Sequence, residues 1–240
     1  MSKKIGSLLI CLGFLSAFIL LLSGPLYRWQ ILDLGIAFTL LRWAAYIGVA
    51  SVVLIIVYLI WKRPRGVRLA VLTAAAIVGM ISFYIPYQQL ETARSVPPIH
   101  DITTDLENPP EFVAIAPLRA DAPNPLPYPG EETAAQQRKA YSDLTPQYFE
   151  QDLNQVFEAA LRVVNAKGWQ LVASDLAEGR IEATASTFWF GFKDDVVIRL
   201  QREGEQTRVD VRSKSRVGRS DVGKNAARIR DFQQQLKGNL

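Results

Sequence analysis

Hydrophobic residues dominate the first part of the chain, in three runs that contain no charged side chain. The runs extend from Ile5 to Gly24, from about Trp43 to Trp61 and from about Leu69 to Tyr87. Each is close to the roughly 20 residues that an α-helix needs to cross the hydrocarbon core of a bilayer. Because backbone N–H and C=O groups must be hydrogen-bonded within such a segment, the pattern predicts three transmembrane helices in residues 1–89.

Basic residues beside the three runs predict how the helices are oriented. The connection Lys62–Arg68 is short and densely basic, and such connections stay in the cytoplasm. Lys3 and Lys4 place the N-terminus on the same side. Three crossings then predict that everything after Gln89 lies outside the cytoplasm, which makes it periplasmic in a protein of the bacterial inner membrane. The small residues at the end of the first run leave open a cleaved signal peptide, which would not move the later domain.

Residues 90–130 have a different pattern, because nine of the thirteen prolines lie between positions 97 and 129. Proline has no N–H and disfavours helix in the residue before it, so the segment is predicted to be extended. Phe112, Val113 and Ile115 are apolar and need a place to be buried. The segment is therefore either a flexible linker or a strap packed along the domain that follows.

Residues 131–240 alternate between helical and strand patterns. Apolar residues at three- and four-residue spacing follow Thr145 and Pro146, which predicts a helix that is capped there and ends at Gly168. Period-two alternation with short turns then predicts four antiparallel strands, and a last helix is predicted from about Asp221 to Leu236. The order α-β-β-β-β-α predicts a two-layer α+β domain whose antiparallel meander carries helices on one face.

Composition narrows the chemistry that is available. Cys11 is the only cysteine and His100 the only histidine, which excludes an intrachain disulfide, a cysteine-based metal site and a multi-histidine site. We therefore expect no metal and no cofactor. Asp33 is the only acidic residue before Gln89, and the part that follows has slightly more acidic than basic residues. A nucleic-acid partner is not expected, because such domains are basic.

Three separated blocks of residues 95–237 resemble the DUF1499 family of uncharacterised proteins. The blocks are Pro98-Ile99-His100-Asp101-Ile102-Thr103-Thr104-Asp105 with Asn108-Pro109-Pro110, Ile181-Glu182-Ala183-Thr184-Ala185 running into Phe188-Trp189-Phe190-Gly191-Phe192-Lys193-Asp194-Asp195, and Asp210-Val211-Arg212-Ser213 with Ser215-Arg216-Val217-Gly218-Arg219-Ser220-Asp221. Membrane helices before the domain are similar to those of other bacterial members. The resemblance implies no activity, cofactor or catalytic residue.

Two polar clusters are candidates for a site. His100, Asp101 and Asp105 are candidate catalytic residues, although Asp and Thr side chains in such a stretch also form turns and caps. The second candidate cluster binds an anion or a partner at the start of the last helix, where backbone N–H groups are free. It consists of Arg212, Arg216, Arg219, Ser220 and Arg228.

The arginines of the second cluster have an alternative role. They could pair with Asp194, Asp195 or Asp210 while Ser220 or Asp221 caps the helix. In addition, Arg208, Asp210, Arg212, Lys214 and Arg216 alternate along one strand, which predicts a solvated outer face.

The sequence of residues 218–225 nearly matches the motif of a phosphate-binding loop. Asn225 replaces the Ser or Thr that would hold Mg²⁺, and Asp221 puts a negative charge into the phosphate cradle, so no nucleotide is expected.

Phe188, Phe190 and Phe192 are predicted to share one strand face. Trp189 would then lie on the other, either in the core or in contact with a membrane or a partner.

Three functions remain open from the sequence. The chain is predicted to be a non-catalytic binding or assembly module of the cell envelope, with a partner protein or anionic lipid headgroups as its ligand. Alternatively it is an accessory subunit of a larger membrane complex, with close helix packing through Ala74, Ala75, Ala76 and Gly79. The third possibility is an enzyme that acts on an envelope substrate.

Overall fold

The computed structural model describes residues 2–240, with side chains from Lys4 onward. Met1 and the side chain of Lys3, which belongs to the basic N-terminal pair, lie outside the described part. The chain divides into two compact units. The first comprises residues 1–91 together with Phe188–Gly191, and the second comprises Thr92–Thr187 together with Phe192–Leu240.

Three long helices form the first unit: α1 (Ser2–Arg28), α2 (Leu34–Lys62) and α3 (Val67–Ser95), the last of which runs on past Glu91. All three are long and apolar enough to cross a membrane. The prediction of three such helices is confirmed, and it makes the chain a candidate multi-pass membrane protein.

The helices extend beyond the apolar runs, because they also include polar residues at their ends. The connection predicted from Pro25 to about Arg42 is mostly helical, and only residues 29–33 separate α1 from α2. Asp33 caps α2, since its carboxylate accepts a hydrogen bond from the backbone N–H of Ile36 at 2.9 Å. The one acidic residue among residues 1–89 therefore has a capping role.

Small residues let the three helices approach one another. A Cβ atom added to Gly13 would lie 2.5 Å from the carbonyl oxygen of Ala75, and one added to Gly48 would lie 2.4 Å from that of Gly79. Ser16 donates to Ser82 at 3.1 Å between the same helices. Two of the small α3 residues predicted to contact a partner are thus used inside this chain.

A six-stranded antiparallel sheet forms the centre of the second unit, which confirms the α+β class and the meander. Its strands are β1 (Asp101–Thr103), β2 (Gln147–Phe149), β3 (Gln170–Asp175), β4 (Arg180–Ser186), β5 (Lys193–Glu203) and β6 (Gln206–Ser215). The order is β1-β6-β5-β4-β3, and β2 also pairs with β6. The two three-residue strands that the sequence did not predict thus share one edge.

Helices cover one face of this sheet. α4 (Glu131–Ala140), α5 (Leu153–Ala166) and α6 (Lys224–Gly238) belong to the second unit, and α5 and α6 supply the apolar core together with alternate strand residues. Ala226, Ile229, Phe232 and Leu236 of α6 are all buried, as predicted.

The predicted helix start at Thr145–Pro146 is wrong. These residues lead into β2, where Phe149 reaches the core from a strand, and Asp152 caps α5 by accepting from the N–H of Gln155 at 2.8 Å. The last helix likewise starts at Lys224 rather than at Asp221.

The other face of the sheet is covered by residues 104–127, which we call the strap. It contains a 3₁₀ turn (Ala116–Arg119) and buries Phe112 and Ile115 against Val197 of β5. Val113 is half exposed. The proline-rich segment thus packs as a strap over these residues.

Candidate functional site

The strap covers a face of the sheet that is charged and buried. Arg208, Asp210, Arg212 and Lys214 alternate along β6 on this face, and Arg216 follows directly after the strand. Lys214 is fully buried, and Arg212 is 3% exposed. The prediction that this row is a solvated outer face is therefore wrong. An alternating polar row looks the same whether water or a polar strap covers it, so the pattern alone could not distinguish the two.

Asp101 of β1 is the centre of the face. Its carboxylate accepts from Nε and Nη2 of Arg212 at 2.9 and 2.8 Å and from Nζ of Lys214 at 2.8 Å. None of Asp101 is exposed. Burial lowers the pKa of Lys214, although the neighbouring Asp101 carboxylate acts in the opposite direction. The pair is thus held in a dry, strongly polar environment.

The strap and Tyr128, the residue that follows it, contribute backbone groups and aromatic rings to the same centre. Arg212 donates to the carbonyl of Pro110 at 3.0 Å, and Lys214 donates to that of Pro127 at 2.8 Å. The guanidinium of Arg212 lies 5.0 Å from the ring centre of Phe112 and 5.5 Å from that of Tyr128. Burial raises the pKa of the Tyr128 hydroxyl to about 12.

A second carboxylate, Asp195 of β5, is shared in the same way. It accepts from Nη1 of Arg119 at 2.6 Å, from Arg216 at 2.8 Å through both oxygens, and from the hydroxyl of Thr184 at 2.7 Å. Arg119 belongs to the strap, and its side chain is 1% exposed. This ion pair therefore connects the strap to the centre of the sheet.

Glu182 of β4 binds the strap through backbone hydrogen bonds and not through a charged side chain of the strap. Its two oxygens accept from the backbone N–H groups of Val113, Ala114 and Ile115 at 2.9 to 3.1 Å. Arg180 approaches the same carboxylate at 3.3 Å from within β4. Three consecutive amides of the strap are thus fixed to one buried side chain of β4.

Asp105, at the start of the strap, accepts from Arg199 at 2.9 Å and from Arg208 at 2.7 Å. Both arginines also pair with Asp210. Burial acts to raise the pKa of Asp105, but the backbone N–H groups of Asn108 and Glu107 and the side chain of Arg199 together outweigh it, so the pKa lies below its ordinary value. Asp105 is therefore ionised and already paired.

The predicted catalytic residues are thus brought to different partners. His100 is half buried, and its Nε2 atom is buried without a hydrogen-bond partner. Burial, followed by the charge of Lys214, lowers the pKa of this imidazole. Asp101 and Asp105 are both in ion pairs with arginines, so neither is presented as a free general base. A catalytic role for the three residues stays a prediction.

The predicted anion cluster is also largely engaged within the chain. Arg212 and Arg216 pair with Asp101 and Asp195, and Arg228 donates to Asp194 at 2.5 Å and to Ser213 at 2.9 Å. Of this cluster, Arg219 is exposed and Ser220 is half buried.

The N-terminus of α6 carries a carboxylate of its own. Asp221 accepts from the N–H groups of Gly223 at 3.0 Å and Asn225 at 2.5 Å. The segment that resembles a phosphate-binding loop therefore places this carboxylate where a phosphate would lie. Burial raises the pKa of Asp221 above its ordinary value, and the two amide donors act against that rise.

One recess adjoins the charged face. It has a volume of about 550 Å³ and is lined by Thr104, Asp105, Arg138, Tyr141, Ser142 and Arg208, among others. The Tyr141 hydroxyl is buried and lacks a hydrogen-bond partner. Within residues 2–240 no group of three or more His, Cys, Asp or Glu side chains is arranged to hold a metal ion.

Trp189 lies in a turn rather than in a strand, so the predicted shared face of Phe188, Phe190 and Phe192 is wrong. β4 ends at Ser186, and Gly191 has a positive φ of 68°, which reverses the chain. Phe188 is 91% exposed, whereas Phe190 is buried. The turn therefore separates the three rings that alternation would have aligned.

Sequence comparison identifies the second unit. No curated protein matches the chain. The profile of a family described as "Protein of unknown function (DUF1499)" matches residues 101–236, which is more than half of the chain. The match begins at Asp101, the central carboxylate of the charged face, and ends at Leu236 in the core of α6. The chain therefore belongs to the DUF1499 family.

Proposed function

We propose that the chain is a non-catalytic binding module that three transmembrane helices anchor in a membrane. The observation that carries this proposal is the pairing on the charged face, where Asp101, Asp195 and Glu182 all bind groups that hold the strap or the sheet. Carboxylates that are paired in this way have a structural role. A carboxylate that acts as a general acid or base would instead have to be free to exchange a proton.

The compartment follows from the basic connection between α2 and α3. Lys62, Arg63, Arg65 and Arg68 surround a turn of only a few residues, and the proposal places this turn in the cytoplasm. The N-terminus is then cytoplasmic and the family domain periplasmic, in the inner membrane of a bacterium.

A reporter at the C-terminus tests this orientation. Alkaline phosphatase fused after Leu240 is expected to be active, and a fluorescent protein that folds only in the cytoplasm is expected to be dark. The reverse result would overturn the orientation while leaving the binding proposal in place.

The surface proposed for binding is the exposed basic start of α6. Arg219 and Lys224 are both exposed there, in contrast to the buried arginines of the charged face. We expect an acidic partner, either an anionic lipid headgroup or an acidic protein surface. Because Arg212 and Arg216 are held in ion pairs, reversing their charge would disrupt the fold and would say nothing about binding.

The test compares two doubly substituted full-length proteins in mild detergent. Arg219→Glu with Lys224→Glu is expected to lose the protein or anionic phospholipid that co-purifies with the wild type, quantified by mass spectrometry. Arg202→Glu with Lys237→Glu changes the net charge equally at other exposed positions and is the matched control. Equal retention by both variants would refute the basic surface, and a protein retained by both would favour the accessory-subunit alternative, in which the helices form the interface.

A further inference from the structure

The carbonyl group of Leu21 lacks the donor that an α-helix normally provides. In a helix this carbonyl accepts from the N–H of the residue four positions later, which here is Pro25 and has no N–H. Leu21 lies in the charge-free run of α1. Within a bilayer an unpaired carbonyl is costly, since no water is available to replace the missing bond.

Trp189 supplies the missing donor. Its indole Nε1 donates to the Leu21 carbonyl at 3.2 Å. Gly24 makes room for the ring, because a Cβ atom there would lie 2.5 Å from Cδ1 of Trp189. The Gly24–Pro25 step thus removes both a side chain and an N–H, and the indole occupies the place of both.

Further contacts within the first unit fix the residues Phe188–Gly191. Arg28 donates to the carbonyl of Phe188 at 2.7 Å, and a Cβ atom on Gly191 would lie 2.7 Å from Cγ of Arg28. The ring of Phe190 packs 6.1 Å from that of Tyr27 and 5.8 Å from that of Phe38. The short aromatic segment thus packs against α1 and α2.

Phe188 points away from these contacts and is 91% exposed. Leu21 is about 24 Å along the helix from Ile5 at a rise of about 1.5 Å per residue, which is near the end of a hydrocarbon core roughly 30 Å thick. Aromatic side chains concentrate at this level of membrane proteins. An exposed apolar ring there meets lipid.

We infer that Phe188 and Trp189 form an interfacial lipid-binding element, with Phe188 inserted among acyl chains and the Trp189 indole bonded to the Leu21 carbonyl that Pro25 leaves free. The inference rests on the membrane anchoring proposed above, and it adds a specific lipid contact made by a segment far from α1 in sequence.

The lipid contact is tested by site-directed spin labelling of the full-length protein in nanodiscs. Because Cys11 is the only native cysteine, Cys11→Ser with Phe188→Cys carries a single label. Collision with oxygen, which partitions into lipid, is compared with collision with a water-soluble nickel chelate. Phe18→Cys on α1, where the native side chain is 60% exposed, is the lipid reference, and Glu178→Cys in the β3–β4 turn is the water reference.

The label at position 188 is expected to give an oxygen-to-nickel ratio near that of position 18 and several-fold above that of position 178. A ratio equal to that of position 178 would overturn the inference. Exclusion of both reagents would also overturn it, because it would indicate a protein partner. If position 18 itself behaves like position 178, the membrane anchoring fails, and that result is distinct from either of the others.

The role of the proline is tested by a double-mutant cycle on the same label. Trp189→Phe keeps an aromatic ring, although a smaller one, and removes the indole N–H, so we expect a shift of the label towards water. Pro25→Ala gives Leu21 a helical N–H, so adding Trp189→Phe to it is expected to change the ratio much less. Additive effects would refute the coupling. Trp29→Phe, an exposed tryptophan beyond α1, is the control and is expected to combine additively with Pro25→Ala.

Discussion

The two faces of the six-stranded sheet are closed in opposite ways. On the side of α5 and α6, Ile198 and Val211 pack with Phe232 in a continuous apolar core. On the side of the strap, the same strands present Asp195 and Arg212 to buried partners of opposite charge. Apolar burial is non-directional and tolerates size-matched exchange, whereas a buried ion pair depends on the position of every donor and acceptor.

The charged face therefore specifies the register of the strands more strictly than the core does. Asp101, Lys214 and Asp195 lie directly opposite one another across β1, β6 and β5, and their charges alternate. A slip of one residue would turn these charges towards the apolar core. We expect the ion pairs to fix which alignment forms, while apolar burial on the other face supplies most of the driving force.

The largest effect is expected from Asp101→Asn. The change leaves Arg212 and Lys214 buried without a counter-charge, and breaking a buried pair in this way costs about 3–5 kcal/mol. Thermal unfolding of the full-length protein in detergent would measure the loss, and hydrogen exchange of residues 104–127 would locate it in the strap. Asp143→Asn removes an exposed acid and is the control. Equal stability of the two variants would contradict the prediction.

A smaller loss is expected from Glu182→Gln. The neutral amide has one acceptor oxygen in place of two, so at least one strap N–H loses its partner, at a cost of about 1–3 kcal/mol for an unsatisfied buried group. Faster hydrogen exchange at Val113, Ala114 and Ile115, with unchanged exchange in α5, is the expected signature. Uniform acceleration across the domain would show that Glu182 has no local role in holding the strap.

On the apolar face, Ile198→Val is expected to cost only about 0.5–1.5 kcal/mol, because it removes one buried methylene group and no charge. The same thermal measurement applies. The comparison between the faces fails if this conservative change destabilises the protein as much as Asp101→Asn does.

The smallest effect concerns acid pH and Asp105. Its pKa in the folded protein lies below the ordinary value of 3.8, so its contribution to stability is present above that value and is lost as the pH falls through the folded pKa. The difference in melting temperature between the wild type and Asp105→Asn is therefore expected to shrink as the pH falls below 3.8. A difference that stays constant over this window would rule out the assigned ionisation.

The sequence carried enough information to predict the three long apolar helices and much of the domain. Charge-free runs predict α1 to α3, and the apolar stripes of α5 and α6 predict the core. The strands β1 and β2 could not be predicted, since three residues show no alternation. The start of α2 was missed although Asp33, followed by apolar residues, is itself a capping signal.

The candidate site was less predictable, because the residues that pair in it are far apart in the sequence. The row from Arg208 to Arg216 has the alternation of a solvated strand, and only the strap makes it an interior. Phe112 and Ile115 indicated that the strap is packed but not on which face. The partners of the row are scattered over β1, β4, β5 and the strap, and a single glutamate such as Glu182 gives no sign in the sequence that it receives three amides.

The edge of the sheet has a consequence for biosynthesis. Asp101 precedes its partner Lys214 by 113 residues, so β1 leaves the ribosome well before the strand that it must join. Contacts so distant in sequence form late, after β6 is complete. Until then the segment must remain extended without joining another exposed edge, and its prolines and unpaired carboxylates are the features that discourage such association. The residues that close the finished domain are thus also expected to limit association of the unfinished chain.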